Sequence, residues 1–557
     1  MRHRRVNAKW ALGTLALALA LPVVAQETPE SLLPPGFGDA PEAPPSGAQR
    51  PAPATPILPP SFAVSDEAGD NAAEAGLSEE EIAAQKAKYD LPENAHRSLD
   101  RVGPLTPERL GLEPKAFGAQ SGQFLATLMK ETRAPITSRW ASILLRRALL
   151  TATDTPKDIN GADWVAERAW LLLRMGEADS ARLLVQSVDS DQFTPRLYAI
   201  AMQTYLATAD PAGLCPLSAG ALRFSKEPGW DMTRAICPAL SGDQGSASGA
   251  LNQAQRRGVV RGIDYRLAEK VVGTGFNARR SVKIEWDAVD RLTAWRFGLA
   301  TALNVEIPDD LYGTVGSHVR AWEARAPALS AVRRLPGAEV AARLGVFSNK
   351  ALVGFYSQLQ ADGDVPANAA DRIDALRTAY AGAGAEDRLQ AMRTLWQDEA
   401  RPDFVGLIAT ARAAAALPVS ELGARDAANL VAAMFTAGYD RSAARWARLA
   451  AQAGGDGAGD LWALLAVGAP SAVVEIGSGR VSSFAKAADP RKTQMLIAAL
   501  AGLSRLNAQD GASLAQDNGF NLGVTSRWAR AIHAAAGRGE KASVALLAGV
   551  RMQTGDW

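Results

Sequence analysis

The chain has 557 residues, with 60 lysine and arginine residues against 59 aspartate and glutamate residues and a formal net charge of +1. This balance argues against a general nucleic-acid binder, which would carry a basic stripe with aromatic residues interleaved. Hydrophobic residues make up 47% of the chain but aromatic residues only 6%. Much of the difference is alanine, which favours closely packed helices over sheets.

Residues 1–25 have the pattern of a secretory signal peptide. Four basic residues precede an apolar run from Trp10 to Val24, which is shorter than the roughly 20 residues that a membrane span needs. We expect cleavage after Ala25, which removes the four basic residues and changes the formal charge from +1 to −3. The protein is therefore predicted to be exported, as a periplasmic or secreted protein without access to ATP. The alternative is a chain anchored by its uncleaved N-terminal segment, the only membrane contact that we expect.

Residues 26–76 are rich in proline and alanine, with glycine and acidic residues between them. Prolines at this density block both helix and sheet, and too few apolar groups are available to offset the entropy of ordering. This segment is predicted to be a disordered tether. Folded structure is expected to resume at Ser78, which begins the capping-box sequence Ser-Glu-Glu-Glu.

Beyond residue 77 the apolar residues recur mainly at helical spacing, separated by Gly, Pro, Asp or Asn. Only Val282 to Trp286 alternates like a strand, and five residues cannot form a sheet by themselves. The pattern predicts an all-α fold. The clearest predicted helices cover 137–152, 161–175, 194–208, 287–303, 367–380 and 385–397.

A glycine followed five positions later by alanine recurs between predicted helices. Glycine can adopt the left-handed conformation that ends a helix, and alanine lets the next helix pack closely against the previous one. The motif therefore predicts helical hairpins. It occurs at Gly176 and Ala181, Gly242 and Ala247, Gly438 and Ala443, and Gly537 and Ala542.

Residues 161–187 resemble a degenerate tetratricopeptide-type repeat, with an early Trp164, a Gly-Glu turn and an alanine that opens the second helix. The match is fair at 229–257 and 526–550. The resemblance implies an α-solenoid of stacked antiparallel hairpins, divided into N-terminal repeats at 77–275 and C-terminal repeats at 276–557. A closed α/α toroid is the alternative architecture.

Cys215 and Cys237 are the only cysteines. If residues 225–229 form the turn between two antiparallel helices, the two cysteines lie at similar heights on facing helices. In an exported protein this arrangement predicts a disulfide. The alternative is a pair of small buried side chains that never meet.

The sequence offers few groups for catalysis. His96, His318 and His533 are scattered and lack metal-ligand spacing, so no metal or cofactor is expected. Ser483 and Lys486 match the Ser-x-x-Lys pair of penicillin-recognising enzymes, but the third motif of those enzymes is missing.

A tryptophan-rich segment supplies the candidate partner surface. It comprises Trp286, Trp295, Trp322, Arg291 and Arg296, with the carboxylates of Asp287 and Asp290 close by in sequence. Such a cluster could bind and cleave a glycan in a helical toroid, whereas packing inside the helices is the competing interpretation. We favour a non-catalytic scaffold that binds a protein, a peptide or a cell-envelope component; the alternative is a glycan-active toroid enzyme.

Overall fold

The computed structural model describes residues 95–275, 282–363, 365–397, 402–523 and 526–551. The predicted signal peptide, the proline-rich tether and the capping box at Ser78 lie outside these residues. The described residues contain 26 α-helices and one pair of two-residue strands, so the predicted all-α fold is confirmed. None of their helices is both long and apolar enough to span a bilayer.

Twelve helices between residues 122 and 323 build most of an N-terminal core. They are α1 (Gly122–Glu131), α2 (Arg139–Leu150), α3 (Gly161–Arg174), α4 (Ala178–Val185), α5 (Pro195–Ala207), α6 (Cys215–Phe224), α7 (Pro228–Leu240), α8 (Gln244–Arg257), α9 (Gly262–Thr274), α10 (Ala294–Ala302), α11 (Asp309–Tyr312) and α12 (His318–Glu323). Helix α3 is the centre of this core and packs against α1, α2, α4 and α5. It is buried on nearly all sides, so that even its charged residues Glu167, Arg168 and Arg174 lie in the interior.

The only sheet among the described residues pairs two short strands that precede and follow α1 and α2. Strand β1 (Arg101–Val102) runs antiparallel to β2 (Thr153–Asp154), with Arg101 opposite Asp154. The segment from Val282 to Trp286, which alternates like a strand, takes no part in this sheet.

A second core follows, built by hairpins that pack against neighbours close to them in the chain. Its helices are α13 (Ala331–Leu344), α14 (Asn349–Ala361), α15 (Ala367–Ala381), α16 (Ala385–Trp396), α17 (Phe404–Ala416), α18 (Ala424–Thr436), α19 (Asp440–Ala444), α20 (Ala447–Gln452), α21 (Ala458–Gly468), α22 (Ser478–Ala487), α23 (Pro490–Gly502) and α24 (Ala508–Asp517). Alanines at their contacts let the helix backbones approach closely, as in a stacked helical array.

The last hairpin leaves this stack and returns to the start of the fold. Its helices, α25 (Arg527–Gly537) and α26 (Lys541–Arg551), belong to the N-terminal core, where α26 packs against α1 and α2. The Ala542 N–H donates to the Ala116 carbonyl at 3.0 Å, and the Ser543 hydroxyl donates to the Phe117 carbonyl at 2.8 Å. The first and last helices of the described chain are thus in contact.

The predicted hairpin turns are confirmed at three of four positions. Gly176, Gly242 and Gly438 have φ of 86°, 88° and 77°, and each lies between two helices. The N–H of each following residue donates to a carbonyl five positions back, which is the Schellman arrangement. The alanines five positions after these glycines are fully buried.

The fourth predicted turn was placed two residues too early. Gly537 is the last residue of α25, and Gly539 adopts the left-handed conformation with φ 74°. The Glu540 N–H then donates to the Ala535 carbonyl, so the Schellman bond forms around Gly539. Helix propagation through Gly537 is possible because the residues before it are helix-forming alanines.

The predicted disulfide between Cys215 and Cys237 is present, with the two Cα atoms 5.5 Å apart. Cys215 begins α6 and Cys237 lies in the last turn of α7, and these two helices are joined by a short turn at residues 225–227. The antiparallel hairpin therefore brings the cysteines together as the spacing predicts.

Candidate binding surface

The tryptophans of the predicted partner surface lie mostly in the interior. Trp295 and Trp322 are buried, whereas Trp286 is only partly buried against the N-terminal core. The indole N–H of Trp322 donates to the Leu173 carbonyl at 3.1 Å, and its ring meets Phe297 edge to face at 5.7 Å. Neither Trp295 nor Trp322 can therefore contact a partner in this conformation. For both residues the competing interpretation, packing inside the helices, is the correct one.

The charged residues of the same segment form an internal ion pair rather than an acidic cleft. Arg296 donates to Asp264 of α9 at 2.9 Å and to the Arg291 carbonyl at 2.6 Å. Burial raises the pKa of the Asp264 carboxyl, and the Arg296 guanidinium offsets part of that rise. The side chain of Asp290 is 91% exposed. Arg296 is thus used to hold α9 and α10 together, and Arg291 is partly buried beside it.

The remaining polar candidates are dispersed. His96 is exposed near Asp189, His533 is exposed on α25, and His318 is half-buried with its ring edge to face against Trp322. The Ser483 hydroxyl donates to the Gly479 carbonyl of its own helix, and both Ser483 and Lys486 are exposed on α22. Among the described residues, no group of three or more His, Cys, Asp or Glu could hold a metal ion.

An exposed apolar ridge runs along α2, and the sequence did not single it out. Trp140 and Leu144 lie one helical turn apart and are 49% and 44% exposed. Arg147, the next residue on this face, donates to the carbonyl of Leu110 at 2.9 Å. We call Leu110, Trp140 and Leu144 the α2 ridge. Leu110 is 73% exposed, the largest exposure among the large hydrophobic residues that the structure describes.

The backbone at Leu110 is as unusual as its exposure. Leu110 has φ of 67°, a left-handed conformation that costs a residue with a side chain roughly 1–2 kcal/mol. It caps the short 3₁₀ helix Pro107–Arg109, a position that glycine fills more easily. A strained leucine that projects into solvent gains nothing for the fold, so its side chain points to an interaction.

The ridge is held rigidly because α2 is tied to both cores. Arg139, buried in the first turn of α2, donates to the carbonyls of Ala342 and Phe347 and to that of Thr436. The indole N–H of Trp140 donates to the Phe435 carbonyl at 3.0 Å. Both side chains thereby add a donor to carbonyls in the last turns of α13 and α18, where Ala342 and Phe435 also accept from the capping residues Gly345 and Ala437.

A guanidinium at the C-terminus of a helix is a recurring feature of this fold. Arg168, fully buried, donates to Leu149 and Thr151 at the end of α2, and Arg174 donates to Thr132 at the end of α1. A cation at this end also complements the helix dipole. Because the terminal nitrogens of both side chains donate to backbone carbonyls, these buried arginines have a structural role.

No family model, curated protein or solved structure matches this chain.

Proposed function

We propose that this protein is an exported, non-catalytic helical scaffold that binds another protein through the α2 ridge. The observation that carries the proposal is the ridge itself: Trp140 and Leu144 are exposed one turn apart on α2, and the exposed Leu110, in a strained conformation, is bound through its carbonyl to Arg147 of the same helix. Tryptophan and arginine dominate the energetically important contacts of protein interfaces. Trp140 and the adjacent Arg147 supply both residue types at this surface.

A protein partner fits the ridge better than a glycan does. Sugar binding calls for an aromatic platform flanked by polar hydrogen-bonding groups, but the neighbours of Trp140 on this face are leucines. The ring of Trp140 lies over the α18–α19 turn, where a side-chain carbon on Gly438 would come within 3.3 Å of it. The indole is thus already ordered before binding, which lowers the entropy cost of association.

Export is the second part of the proposal and is supported by two features. The first 25 residues have the composition of a signal peptide. The disulfide between Cys215 and Cys237 is typical of an oxidising compartment.

The test is site-specific photo-crosslinking in cells that express the full chain. A photoreactive residue at position 144 should give a discrete adduct with one partner. The same residue at Leu503, which is equally exposed but lies in the C-terminal stack, should give none. Equal labelling from both positions would contradict binding at the ridge.

Leu110→Gly separates binding from folding. Glycine adopts the left-handed backbone without strain, so the free energy of unfolding should be unchanged or higher by up to about 1 kcal/mol. The position-144 adduct should nevertheless weaken, because the most exposed apolar side chain of the ridge is gone. Loss of both stability and adduct would assign Leu110 to the fold instead.

The catalytic alternative is tested on the carboxylates that suggested it. Changing both Asp287 and Asp290 to asparagine should leave the adduct intact. If the purified protein released products from an envelope polysaccharide, and these two changes abolished that activity, the scaffold proposal would be overturned.

A further inference from the structure

A cleft separate from the α2 ridge opens between strand β1 and helix α4. Its volume is about 530 Å³. One wall comes from β1 and the residues beside it, including Arg97, Arg101 and Gly103; the other comes from α4 and the residues just after it, including Leu183 and Gln186. No residue of β2 lines it. The cleft therefore lies away from the edge of β1 that β2 occupies.

The free edge of β1 faces away from β2. The Thr155 N–H donates to the Asp100 carbonyl at 2.8 Å, and Arg101 lies opposite Asp154. Since hydrogen-bonded and non-hydrogen-bonded pairs alternate along an antiparallel ladder, the N–H and C=O of Arg101 point to the other side. The sheet has two strands in the described residues, so no third strand covers this edge. An open strand edge is a template for a further strand.

The side chains around this edge determine which kind of peptide segment it could bind. Leu183 is 56% exposed and is the large apolar side chain of the cleft. Arg97 and Arg101 are each 56% exposed in their side chains, and their ion-pair partners, Asp189 and Asp154, do not line the cleft. The lining thus contains two guanidinium groups and no carboxylate. Arg101 donates to Asp154 through Nε at 2.8 Å, and Arg97 donates to the Gln186 carbonyl through Nη1. An incoming carboxylate would therefore bind the other N–H groups, Nη1 of Arg101 and Nη2 of Arg97, through charge-assisted hydrogen bonds.

Gly103, directly after β1, packs closely against the segment before β2. Its φ is 150°, and a side-chain carbon there would lie 2.3 Å from the Thr151 carbonyl oxygen. Only glycine can occupy this position, because any larger residue would collide with the backbone of the segment before β2. The edge therefore ends at a residue without a side chain.

We propose that the β1 cleft binds an extended acidic segment of a partner protein, which adds a third strand to β1. The main chain of the segment would pair with Arg101, an apolar side chain would contact Leu183, and an acidic side chain would pair with Arg97 or Arg101. In this mode of recognition, backbone hydrogen bonds supply affinity and the alternating side chains supply specificity. The site does not depend on the α2 ridge, so either proposal can fail alone.

The probe is a fluorescein-labelled, acetylated peptide of alternating valine and glutamate, measured by fluorescence anisotropy with the whole exported chain. Leu183→Asp and Arg101→Glu should each weaken binding at least about tenfold. The matched control is Leu240→Asp, a similarly exposed leucine at the end of α7, which should bind as the unchanged protein does. Leu183 is a surface residue outside any ion pair, so thermal unfolding of Leu183→Asp should be unaffected, whereas Arg101→Glu places a carboxylate opposite Asp154 and should lower the unfolding temperature. The Leu183 variant therefore decides whether weaker peptide binding reflects the cleft and not the fold.

Two further peptides test the pairing mode. A peptide N-methylated on the residues that would face β1 keeps the side chains but loses the donors, and it should bind at least about tenfold more weakly. A valine and lysine peptide should bind weakly because of the two arginines. Equal binding by either peptide, or no binding by the valine and glutamate peptide, would overturn the proposal. Binding that emerges only when residues 26–76 are deleted would also overturn it, because the chain itself would then be the occupant.

Discussion

The two cores of this molecule are built in different ways. In the N-terminal core, 13 of the 14 residues of α3 are buried, and α26 from the end of the described chain packs against α1 and α2, which in turn contact α3. In the C-terminal stack, α22 buries only Val481 and Phe484 among its ten residues, and it packs against helices next to it in the chain. The first region has contacts that cross the whole sequence, whereas the second is close to a one-dimensional array.

The difference should appear in how each region unfolds. A core whose contacts span the chain must open as one unit, because removal of any element exposes surfaces of several others. A stack of hairpins with mainly local contacts can open hairpin by hairpin. Helix α2 and its ridge belong to the first kind of region while touching the second through Arg139.

The buried arginines should distinguish the regions most strongly. Arg168→Ala removes the guanidinium that donates to the carbonyls of Val102, Leu149 and Thr151 in a fully buried site, and it should cost about 4 kcal/mol. Arg505→Ala removes bonds to Ala466 and Ala469 at the end of α21, but that site is only partly buried. Water can replace the guanidinium there, so the cost should be about 1 kcal/mol. Denaturant unfolding of both variants measures the difference, and equal costs would contradict it.

Two fully buried leucines, one in each core, test how far the destabilising effect of a cavity extends. Leu546→Ala in α26 and Leu500→Ala in α23 should each cost about 3 kcal/mol, since both remove a fully buried side chain. Hydrogen exchange should accelerate throughout α1 to α3 in the first variant. In the second it should accelerate only within α21 to α24. Faster exchange in α1 to α3 of the Leu500 variant would show that the stack is not independent.

His318 sits where the two cores meet, and its titration should weaken that contact in acid. Desolvation of the imidazole, together with the positive charge of Arg174, lowers the pKa of His318 to about 4. The unfolded chain takes up the proton first, near its ordinary pKa of about 6.5, so folding stability falls as pH decreases from about 6.5 toward 4. The loss between pH 7 and 4.5 should be about 2 kcal/mol. His318→Phe should remove this part of the pH dependence, and a parallel pH profile in that variant would contradict the assignment.

The two confirmed turns of the N-terminal core should respond unequally to alanine. A side-chain carbon at Gly176 would lie 2.9 Å from the Ala321 side chain, whereas nothing lies within 4 Å of one at Gly242. Gly242→Ala should therefore cost only the left-handed strain, about 1 kcal/mol. Gly176→Ala should cost about 1 kcal/mol more, because it also pushes α12 away from the α3–α4 turn. Equal unfolding free energies would show that this contact relaxes freely.

The sequence predicts the structural features that depend on residues close together in the chain. The helices, the turns at Gly176 and Gly242 and the bridge between Cys215 and Cys237 follow from patterns within about 30 residues. Gly537 shows the limit, since it remains the last residue of the alanine-rich helix and the left-handed turn forms at Gly539 instead.

The features that depend on distant contacts were missed. Trp140 and Trp446 share the local sequence Arg-Trp-Ala, yet Trp140 is half exposed and Trp446 is buried. The return of α26 to α1 and α2 has no local signal either. The positively charged Arg139 and Arg168 are buried because helix C-termini from elsewhere in the chain meet them. Only the tertiary arrangement decides which of two similar segments faces solvent.

Hydrogen exchange on the unchanged protein, read helix by helix, tests the two-region account most directly. The account predicts that α2, α3 and α26 exchange last and at a common opening free energy, so that the helix bearing the ridge belongs to the most stable unit. The hairpins from α21 to α24 should exchange earlier and with separate opening free energies. A single opening free energy for all helices, or α26 exchanging together with α24 instead of α2, would contradict the account.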